Sequence, residues 1–254
     1  MGSNPESGGL RRLYQIEDLR LRERAVTEIG SDKGTILVVG AHPDDETLGC
    51  GASLAGKIRA GYDVFICVLT DGRGLLTRFD IMSDPSPEEV ARIRKQETLR
   101  ATRLLGMKEG DVLFLDYENG KLAEHVEEAT EKLARLIRER SPVEVWSLNE
   151  YEGHPEHVEA GRIARSAGQQ APGDVRQLQY AVGLKYDLSP EVIDEVFTKV
   201  DVTDWLPLKR EAISQFRSHL DRLSEKQEAP LWQNADRYLK PYELFVTMDE
   251  PTSS

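Results

Sequence analysis

The sequence has few cysteines and no long run of apolar residues. Of its 254 residues only Cys50 and Cys67 are cysteines, and both lie in or beside apolar stretches, which argues against a secreted, disulfide-bonded protein. No apolar segment approaches the roughly 18 residues of a membrane-spanning helix. The N-terminus also lacks the apolar segment of a signal peptide. We therefore expect a cytoplasmic protein without a membrane span.

Positive charge is also scarce. The chain has 33 basic and 45 acidic residues, with a net charge of -12 and a pI of about 5.0. Because nucleic acids and anionic membranes attract basic surfaces, this balance argues against both as partners. A neutral or cationic small molecule is the better expectation.

Short apolar runs alternate with longer helical patterns along the chain. This alternation predicts an α/β fold, with a Rossmann-like, mostly parallel β-sheet sandwiched between α-helices. The predicted strands cover residues 35–41, 63–70, 112–116 and 143–149, followed by strands within 175–184 and 196–203. We expect a single domain over residues 1–254, with residues 1–12 and 249–254 disordered because they are small, polar and unpatterned.

Three helices are well marked. The first has Ser86 as its cap, Pro87 at its first position, Glu89 completing a capping box and Gly106 just beyond its end. Amphipathic patterns predict two more, over 127–141 and 208–223. Residues 72–85 form a long loop after the second strand, where we expect the substrate pocket to be shaped.

The stretch "AHPDDETLGCG" (41–51) follows the first predicted strand. In an open parallel sheet ligands bind beyond the carboxyl ends of the strands, which is where His42, Asp44 and Asp45 would lie. Asp45 or Thr47 is expected to cap a helix that begins near Thr47. The alternative is that both acids only stabilise the start of that helix through its dipole.

A second stretch, "NEYEGHPEHVEAGRIA", follows the fourth predicted strand. His154 and His157 are three residues apart, and Pro155 suits a first helical position, so both imidazoles are expected on one helix face. Three of the five histidines of the chain fall in these two turns. The alternative is a capped helix with surface histidines.

Together the two turns predict a metal site. Three nitrogen or oxygen ligands with one open position are typical of catalytic zinc, and a nearby carboxylate that is not a ligand can act as a base. His42, Asp45 and one of the later histidines are the candidate ligands, and Asp44 is the remaining carboxylate.

The chain resembles the PIG-L or LmbE-like metal-dependent deacetylases. The motifs that carry the resemblance are "AHPDDETLGCG", "VLTDG" (68–72), "RKQE" (94–97), "LDYENGKL" (115–122) and "HPEH" (154–157). This family includes de-N-acetylases of N-acetylglucosaminyl-phosphatidylinositol, of the bacillithiol and mycothiol pathways, and the archaeal diacetylchitobiose deacetylase. The resemblance implies a zinc-dependent hydrolase that removes the N-acetyl group from an N-acetylglucosamine-type sugar or conjugate.

The resemblance also assigns roles to residues. It implies that His42, Asp45 and His157 bind Zn²⁺ or another divalent metal, and that Asp44 is the general base. It implies that His154 stabilises the oxyanion or donates a proton. Substrate-binding roles for Arg94 and Tyr151 and a homotrimer or homohexamer are further implications.

One departure from the family pattern is Glu156, which stands where aspartate is usual; there we expect a carboxylate that orients His154. For Arg94 the alternative is a solvated residue paired with Glu97 or Glu89. Cys50 is expected to pack inside its helix. His125 and His219 are predicted to lie on helix surfaces, without a role.

Other functions stay open from the sequence. One is an amidase acting on a thiol or sugar conjugate within the same family. Another is a Rossmann-like protein that binds a nucleotide or S-adenosylmethionine, although the chain lacks G-x-G-x-x-G after its first strand and has acids where a phosphate would sit. A sugar-binding protein without activity is the third.

Overall fold

The computed structural model describes residues 34–108, 110–173, 175–184 and 188–247. The two segments expected to be disordered, 1–12 and 249–254, lie outside these residues. Within the described part of the chain, no helix has both the length and the apolar composition to cross a membrane.

Seven strands form one central sheet. They are β1 (Thr35–Gly40), β2 (Asp63–Thr70), β3 (Val112–Tyr117), β4 (Glu144–Leu148), β5 (Arg176–Tyr180), β6 (Thr198–Asp201) and β7 (Tyr242–Thr247). Their order across the sheet is β3-β2-β1-β4-β5-β7-β6. Strands β1 to β5 pair in parallel, whereas β7 is antiparallel to both β5 and β6. The predicted mostly parallel sheet is confirmed.

Helices flank the sheet. They are α1 (Asp45–Ala60), α2 (Pro87–Leu105), α3 (Val126–Arg140), α4 (Pro155–Gln169), α5 (Pro190–Val196), α6 (Leu206–Ile213) and α7 (Arg217–Leu220). A 3₁₀-helix (Arg73–Phe79) interrupts the predicted loop after β2. Further 3₁₀-helices cover Leu122–His125, Thr203–Trp205 and Asp236–Tyr238.

Local signals set the ends of α2 as predicted. The Ser86 hydroxyl accepts from the Glu89 backbone N–H, and the Glu89 carboxylate accepts from the Ser86 N–H at 2.9 Å. Gly106 ends the helix with a φ of 105°, a left-handed conformation that glycine adopts without strain.

The position of β1 fixes the site. Strand β1 lies between β2 and β4, and the chain continues outward from it in both directions, through β2 to β3 and through β4 to β5. Such a reversal of strand order opens a cleft beyond the carboxyl ends of the two central strands. The two histidine-containing turns follow β1 and β4, so the topology brings them to this cleft.

Helix α1 differs from its prediction. It begins at Asp45 rather than near Thr47, and Asp44 occupies the capping position without a side-chain capping bond. The helix is kinked at Cys50, which frees the backbone N–H groups of Ala52 and Ser53. The buried carboxylate of Glu243 accepts from both, at 2.9 and 2.8 Å, and so caps the second part of the helix.

The predicted continuous helix over 208–223 is wrong. The chain forms α6, a turn at 214–216, and the single-turn helix α7. At this break the backbone N–H of Ser218 donates to the Glu97 carboxylate at 2.8 Å instead of to a carbonyl one turn back. Phe216 is completely buried there. A tertiary hydrogen bond and core packing therefore override the helical pattern.

Candidate metal centre

The turn after β1 directs the adjacent carboxylates of Asp44 and Asp45 to different partners. Asp44 has a φ of 147°, a conformation that a non-glycine residue rarely adopts. The Oδ2 atom of Asp45 accepts from the backbone N–H groups of Ala41 and His42, at 2.9 and 2.7 Å. The carboxylate of Asp44 instead contacts Arg94. The unusual backbone at Asp44 is therefore associated with the separation of the two acids.

The second turn presents two histidines from the start of α4. Pro155 is the first helical residue, as predicted, and His154 occupies the capping position. Its Nδ1 accepts from the Glu156 backbone N–H at 3.2 Å. His157 follows one turn later, and both rings point to the cleft, where His42, His154 and His157 can offer nitrogen atoms that all lie within 4.8 Å of one another.

Three of these side chains converge closely. His42 Nδ1 lies 3.1 Å from His157 Nε2, which lies 3.2 Å from Asp45 Oδ1. His42 Nδ1 is 3.5 Å from Asp45 Oδ2. Ligand atoms about 2.0–2.2 Å from a tetrahedral zinc ion lie about 3.3–3.6 Å apart, so the two ring nitrogens and the Asp45 carboxylate are close to the spacing of zinc ligands and are of a suitable donor type.

Two buried glutamates hold the histidines of this group. Glu152 Oε2 lies 3.0 Å from His157 Nδ1, and Glu156 Oε2 lies 2.9 Å from His42 Nε2. The expectation that Glu156 orients His154 is therefore corrected, because its carboxylate faces His42. A carboxylate on the second nitrogen of a metal-binding histidine fixes the ring and its tautomer.

Backbone donors fix both glutamates in turn. Glu152 accepts from the N–H groups of Val182 and Gly183, at 2.7 and 2.8 Å. Glu156 accepts from Gly120 N at 2.8 Å and Leu122 N at 3.2 Å, and from the Asn119 amide. Although Glu156 is one methylene longer than the aspartate that is usual in the family, both of its carboxylate oxygens have hydrogen-bond partners.

Opposite charges within this group shift the pKa values of its members. Burial by itself would lower the pKa of His157, but the charges of Asp45 and Glu152 raise it to about 10. Burial would raise the pKa of Asp45, but the facing histidines hold this pKa well below its usual range. Burial would also raise the pKa of Glu156, but the hydrogen bond to His42 lowers it to about 2. A proton on His157 therefore balances part of the negative charge of these carboxylates.

Asp44 stands beside this group with other contacts. Arg94 Nη2 lies 3.0 Å from Asp44 Oδ2, and the Arg94 guanidinium also donates to the carbonyls of Gly72 and Pro43, at 2.8 and 3.1 Å. Burial raises the pKa of Asp44 to about 6, although the Arg94 charge opposes this shift. Arg94 is 4% exposed, so its alternative reading as a solvated surface residue is wrong.

The prediction that His219 lies on a helix surface is also corrected. The sequence places it on a helix surface, but it is 5% exposed and its Nε2 lies 3.3 Å from Asp44 Oδ2. Its ring packs against Trp232 with centroids 4.2 Å apart. His125, by contrast, stacks on Tyr117 and contacts Glu128.

A cavity of about 230 Å³ joins these groups. Its polar wall contains the histidines, Asp44, Asp45, Arg94 and Asn119, and its apolar wall contains Leu48, Val182, Trp232 and Tyr238. Gly74 and Leu75 also line it, from the segment expected to shape the pocket. Pockets that enclose a whole ligand commonly measure about 300–1,000 Å³, so this cavity suits the reacting end of a substrate.

Two other predicted residues lie elsewhere. The ring of Tyr151 packs against Phe197, with centroids 5.8 Å apart, and Tyr151 is not among the described residues that line the cavity. Its role in substrate binding stays a prediction. Cys50 is buried inside α1, and burial raises the pKa of its thiol well above the usual range, as helix packing predicts.

Comparison with known proteins identifies the family. The model of the PIG-L family, described as GlcNAc-PI de-N-acetylase, matches residues 37–168, a segment that contains both turns. The chain belongs to the PIG-L family. The predicted resemblance is confirmed, and the reading as a nucleotide- or S-adenosylmethionine-binding protein is not supported.

Named relatives of this PIG-L member include deacetylases and an amidase. The chain is 27% identical to the diacetylchitobiose deacetylase of Thermococcus kodakarensis, over 87% of this chain and 80% of the relative. It is 28% identical to the mycothiol S-conjugate amidase of Streptomyces coelicolor, over 61% of this chain and 59% of that relative. The solved N,N'-diacetylchitobiose deacetylase of Pyrococcus horikoshii shares the fold, with a TM-score of 0.67, 22% identity and 92% coverage of each chain.

Sequence reasoning missed several residues of this site. Glu152 lies five positions before His157 in an acidic turn, and its acidic character alone does not distinguish it from Glu150. Glu97 and His219 come from distant helices, and the sequence gives no signal that they meet. The sequence does not indicate that Asn119 meets Glu156, a contact that becomes evident only in the structure.

Proposed function

We propose that this PIG-L family member is a metal-dependent deacetylase that removes the acetyl group from an N-acetylglucosamine-type sugar or conjugate. The observation that carries the proposal is the convergence of His42, Asp45 and His157 beside a carboxylate, Asp44, that has other partners. Ligands and base are thus separate groups, as metal-assisted hydrolysis requires.

His42, Asp45 and His157 would hold Zn²⁺ or another divalent ion. The bound ion would lower the pKa of water and polarise the acyl carbonyl. The donor set favours zinc, because two imidazoles and one carboxylate are common ligands of catalytic zinc. Glu152 and Glu156 keep the two rings oriented for binding.

Asp44 is the proposed general base. With a pKa of about 6, its carboxylate is ionised at neutral pH and still basic enough to take a proton from the attacking water. Its Oδ2 is engaged by Arg94 and His219, which leaves Oδ1 for the proton. The same oxygen can then return the proton to the leaving amine.

His154 is the proposed oxyanion donor. Partial desolvation and the neighbouring charge of His42 lower the pKa of His154, which is exposed at the mouth of the cavity, to about 4, so its ring is neutral at pH 7. Because Nδ1 accepts from the Glu156 N–H, the ring proton is on Nε2. A neutral imidazole with this pKa is a hydrogen-bond donor rather than an acid at pH 7. This favours oxyanion stabilisation over proton donation.

The charge of the cavity favours an uncharged substrate. Among its described lining residues, Arg94 is the one arginine or lysine, and it is paired with Asp44. A substrate with a carboxylate or phosphate beside its acetamide would therefore lack a cationic partner among these residues. Arg94 and Tyr151 remain proposed substrate-binding residues, from the family resemblance; Arg94 would contact an uncharged group of the substrate, because its charge is met by Asp44.

The test is a panel of N-acetyl sugars assayed for free amine and acetate with zinc supplied. The panel compares N-acetylglucosamine, diacetylchitobiose and an inositol conjugate with an anionic sugar-malate conjugate. We expect turnover, with the highest kcat/KM for an uncharged member. Failure to release amine from every member by zinc-loaded protein would contradict the proposal.

The amidase reading is tested in the same assay. A conjugate in which a thiol-bearing acid forms an amide with the glucosamine nitrogen replaces the acetylated sugar. Both substrates yield free amine, but only the acetylated sugar yields acetate; the conjugate yields the thiol-bearing acid. A much higher kcat/KM for the thiol conjugate would favour the amidase.

Compartment, domain count and assembly complete the proposal. We propose a cytoplasmic enzyme, a view supported by two buried, unpaired cysteines. A single domain is supported by the continuous seven-stranded sheet. A homotrimer or homohexamer follows from the family resemblance and is tested by light scattering of the purified protein.

A further inference from the structure

His219 connects the candidate base to a distant buried acid. Its Nε2 lies 3.3 Å from Asp44 Oδ2, and its Nδ1 lies 3.1 Å from Ser218 Oγ. Ser218 Oγ in turn donates to Glu97 at 2.6 Å. His219, Ser218 and Glu97 are all buried. This row of contacts extends from α2 to Asp44.

The break between α6 and α7 makes this row possible. A continuous helix would commit the Ser218 backbone N–H to the helix ladder, but here it donates to Glu97. Glu97 therefore holds Ser218 through two bonds, one to the backbone and one to the hydroxyl. His219 is the next residue, so this anchor also fixes the start of its side chain.

The two nitrogens of the His219 ring meet different partners. Ser218 Oγ gives its one proton to Glu97, so toward the ring it accepts from Nδ1–H. An ionised Asp44 can only accept, so Nε2 must carry a proton for the contact to be favourable. Arg94 donates to the same oxygen, Asp44 Oδ2. Two side chains that contact one oxygen restrain rotation of the carboxylate.

We infer that His219 is a positioning residue for Asp44: together with Arg94 it fixes Oδ2 and so presents Oδ1 to the reacting groups. The inference rests on the proposed function of Asp44 as the base. Proper orientation of a catalytic group contributes strongly to rate, and a misplacement of about 1 Å can cost roughly a hundredfold.

A purely structural role for His219 predicts different behaviour. Its ring packs on Trp232 at 4.2 Å, and the Trp232 backbone N–H donates to its carbonyl at 2.9 Å. If packing were its only task, an aromatic ring without nitrogen would replace it. If positioning matters, a donor at the place of Nε2 is needed.

Two substitutions separate these roles. His219→Phe keeps an aromatic ring against Trp232 but removes the donor. His219→Gln loses the ring but places an amide N–H about as far from Cα as Nε2. We expect kcat of the zinc-loaded H219F protein to fall roughly tenfold to a hundredfold below that of H219Q, with similar KM and zinc content. The control is His125→Gln, whose ring contacts Tyr117 and Glu128, outside the cavity.

A crystal structure of each zinc-loaded variant gives a readout independent of turnover. We expect the Asp44 carboxylate to keep its orientation in H219Q and to rotate or become disordered in H219F. An unchanged carboxylate in H219F, or equal kcat in H219F and H219Q, overturns the inference. Absence of activity in the unmodified protein counts against the proposed function instead, and the two structures then still decide the role of His219.

Discussion

Glu156 Oε2 lies 2.9 Å from His42 Nε2, so a carboxylate at the start of α4 holds a ring that follows β1. The two residues are 114 positions apart in the chain. Glu152 holds His157 in the same way, with 3.0 Å between Oε2 and Nδ1. Each histidine of the candidate metal site therefore has its own buried carboxylate, and both carboxylates belong to the second turn.

This relationship predicts that Glu156 controls metal affinity. Glu156→Ala removes the partner of His42 Nε2, and such partners commonly contribute about 10–100-fold to metal binding. We expect a loss of zinc affinity in this range, measured by competition with a chelating dye. Glu159→Ala, in the same helix and half-buried, is the control. Equal affinity of both variants would show that the contact is not needed for binding.

Substitutions of Asp44 and His157 are expected to have different effects on zinc content and turnover. Asp44→Asn removes the proposed base but no metal ligand, so it should keep zinc and lose about 10²–10⁴-fold in kcat. His157→Ala removes a ligand and should lose both zinc and turnover. Zinc content by elemental analysis, together with amine release, distinguishes the two. Full activity of D44N would sink the proposed mechanism.

Metal binding should release protons. In the metal-free protein the pKa of His157 is raised to about 10, so His157 is protonated at pH 7, and a metal can bind only the neutral ring. Affinity should therefore rise as pH increases toward 10, by up to about tenfold per pH unit for each proton displaced. Calorimetry in two buffers with different ionisation enthalpies measures the number released. A value of zero at pH 7 contradicts this expectation.

Gly49 and Gly51 provide a matched pair in α1. A Cβ at Gly49 would overlap the ring of Tyr180, whereas at Gly51 the nearest atom, of Leu105, is 3.4 Å away. Gly49→Ala should destabilise by roughly 1–3 kcal/mol through overpacking. Gly51→Ala should be neutral or stabilise by up to about 1 kcal/mol. Denaturant unfolding compares them, and equal free energies of unfolding would refute the close contact with Tyr180.

Much of the fold could be predicted because its signals are local. Buried apolar runs predicted β1 and β2, and the capping residues around α2 were read correctly since each partner lies within four positions of the other. The helix over 208–223 was predicted wrongly for the opposite reason. Its break depends on Glu97, which is 121 positions away from Ser218.

Local sequence was enough to predict the two turns and the grouping of His42, Asp44 and Asp45 in one and of His154 and His157 in the other, because neighbouring residues set these features. Which acid faces which histidine became evident only in the folded chain. The tertiary structure paired Glu156 with His42 rather than His154, and brought the buried His219 to Asp44. Those pairings depend on the meeting of β1, β4 and the α6–α7 break in space, and no periodicity or local propensity encodes such a meeting.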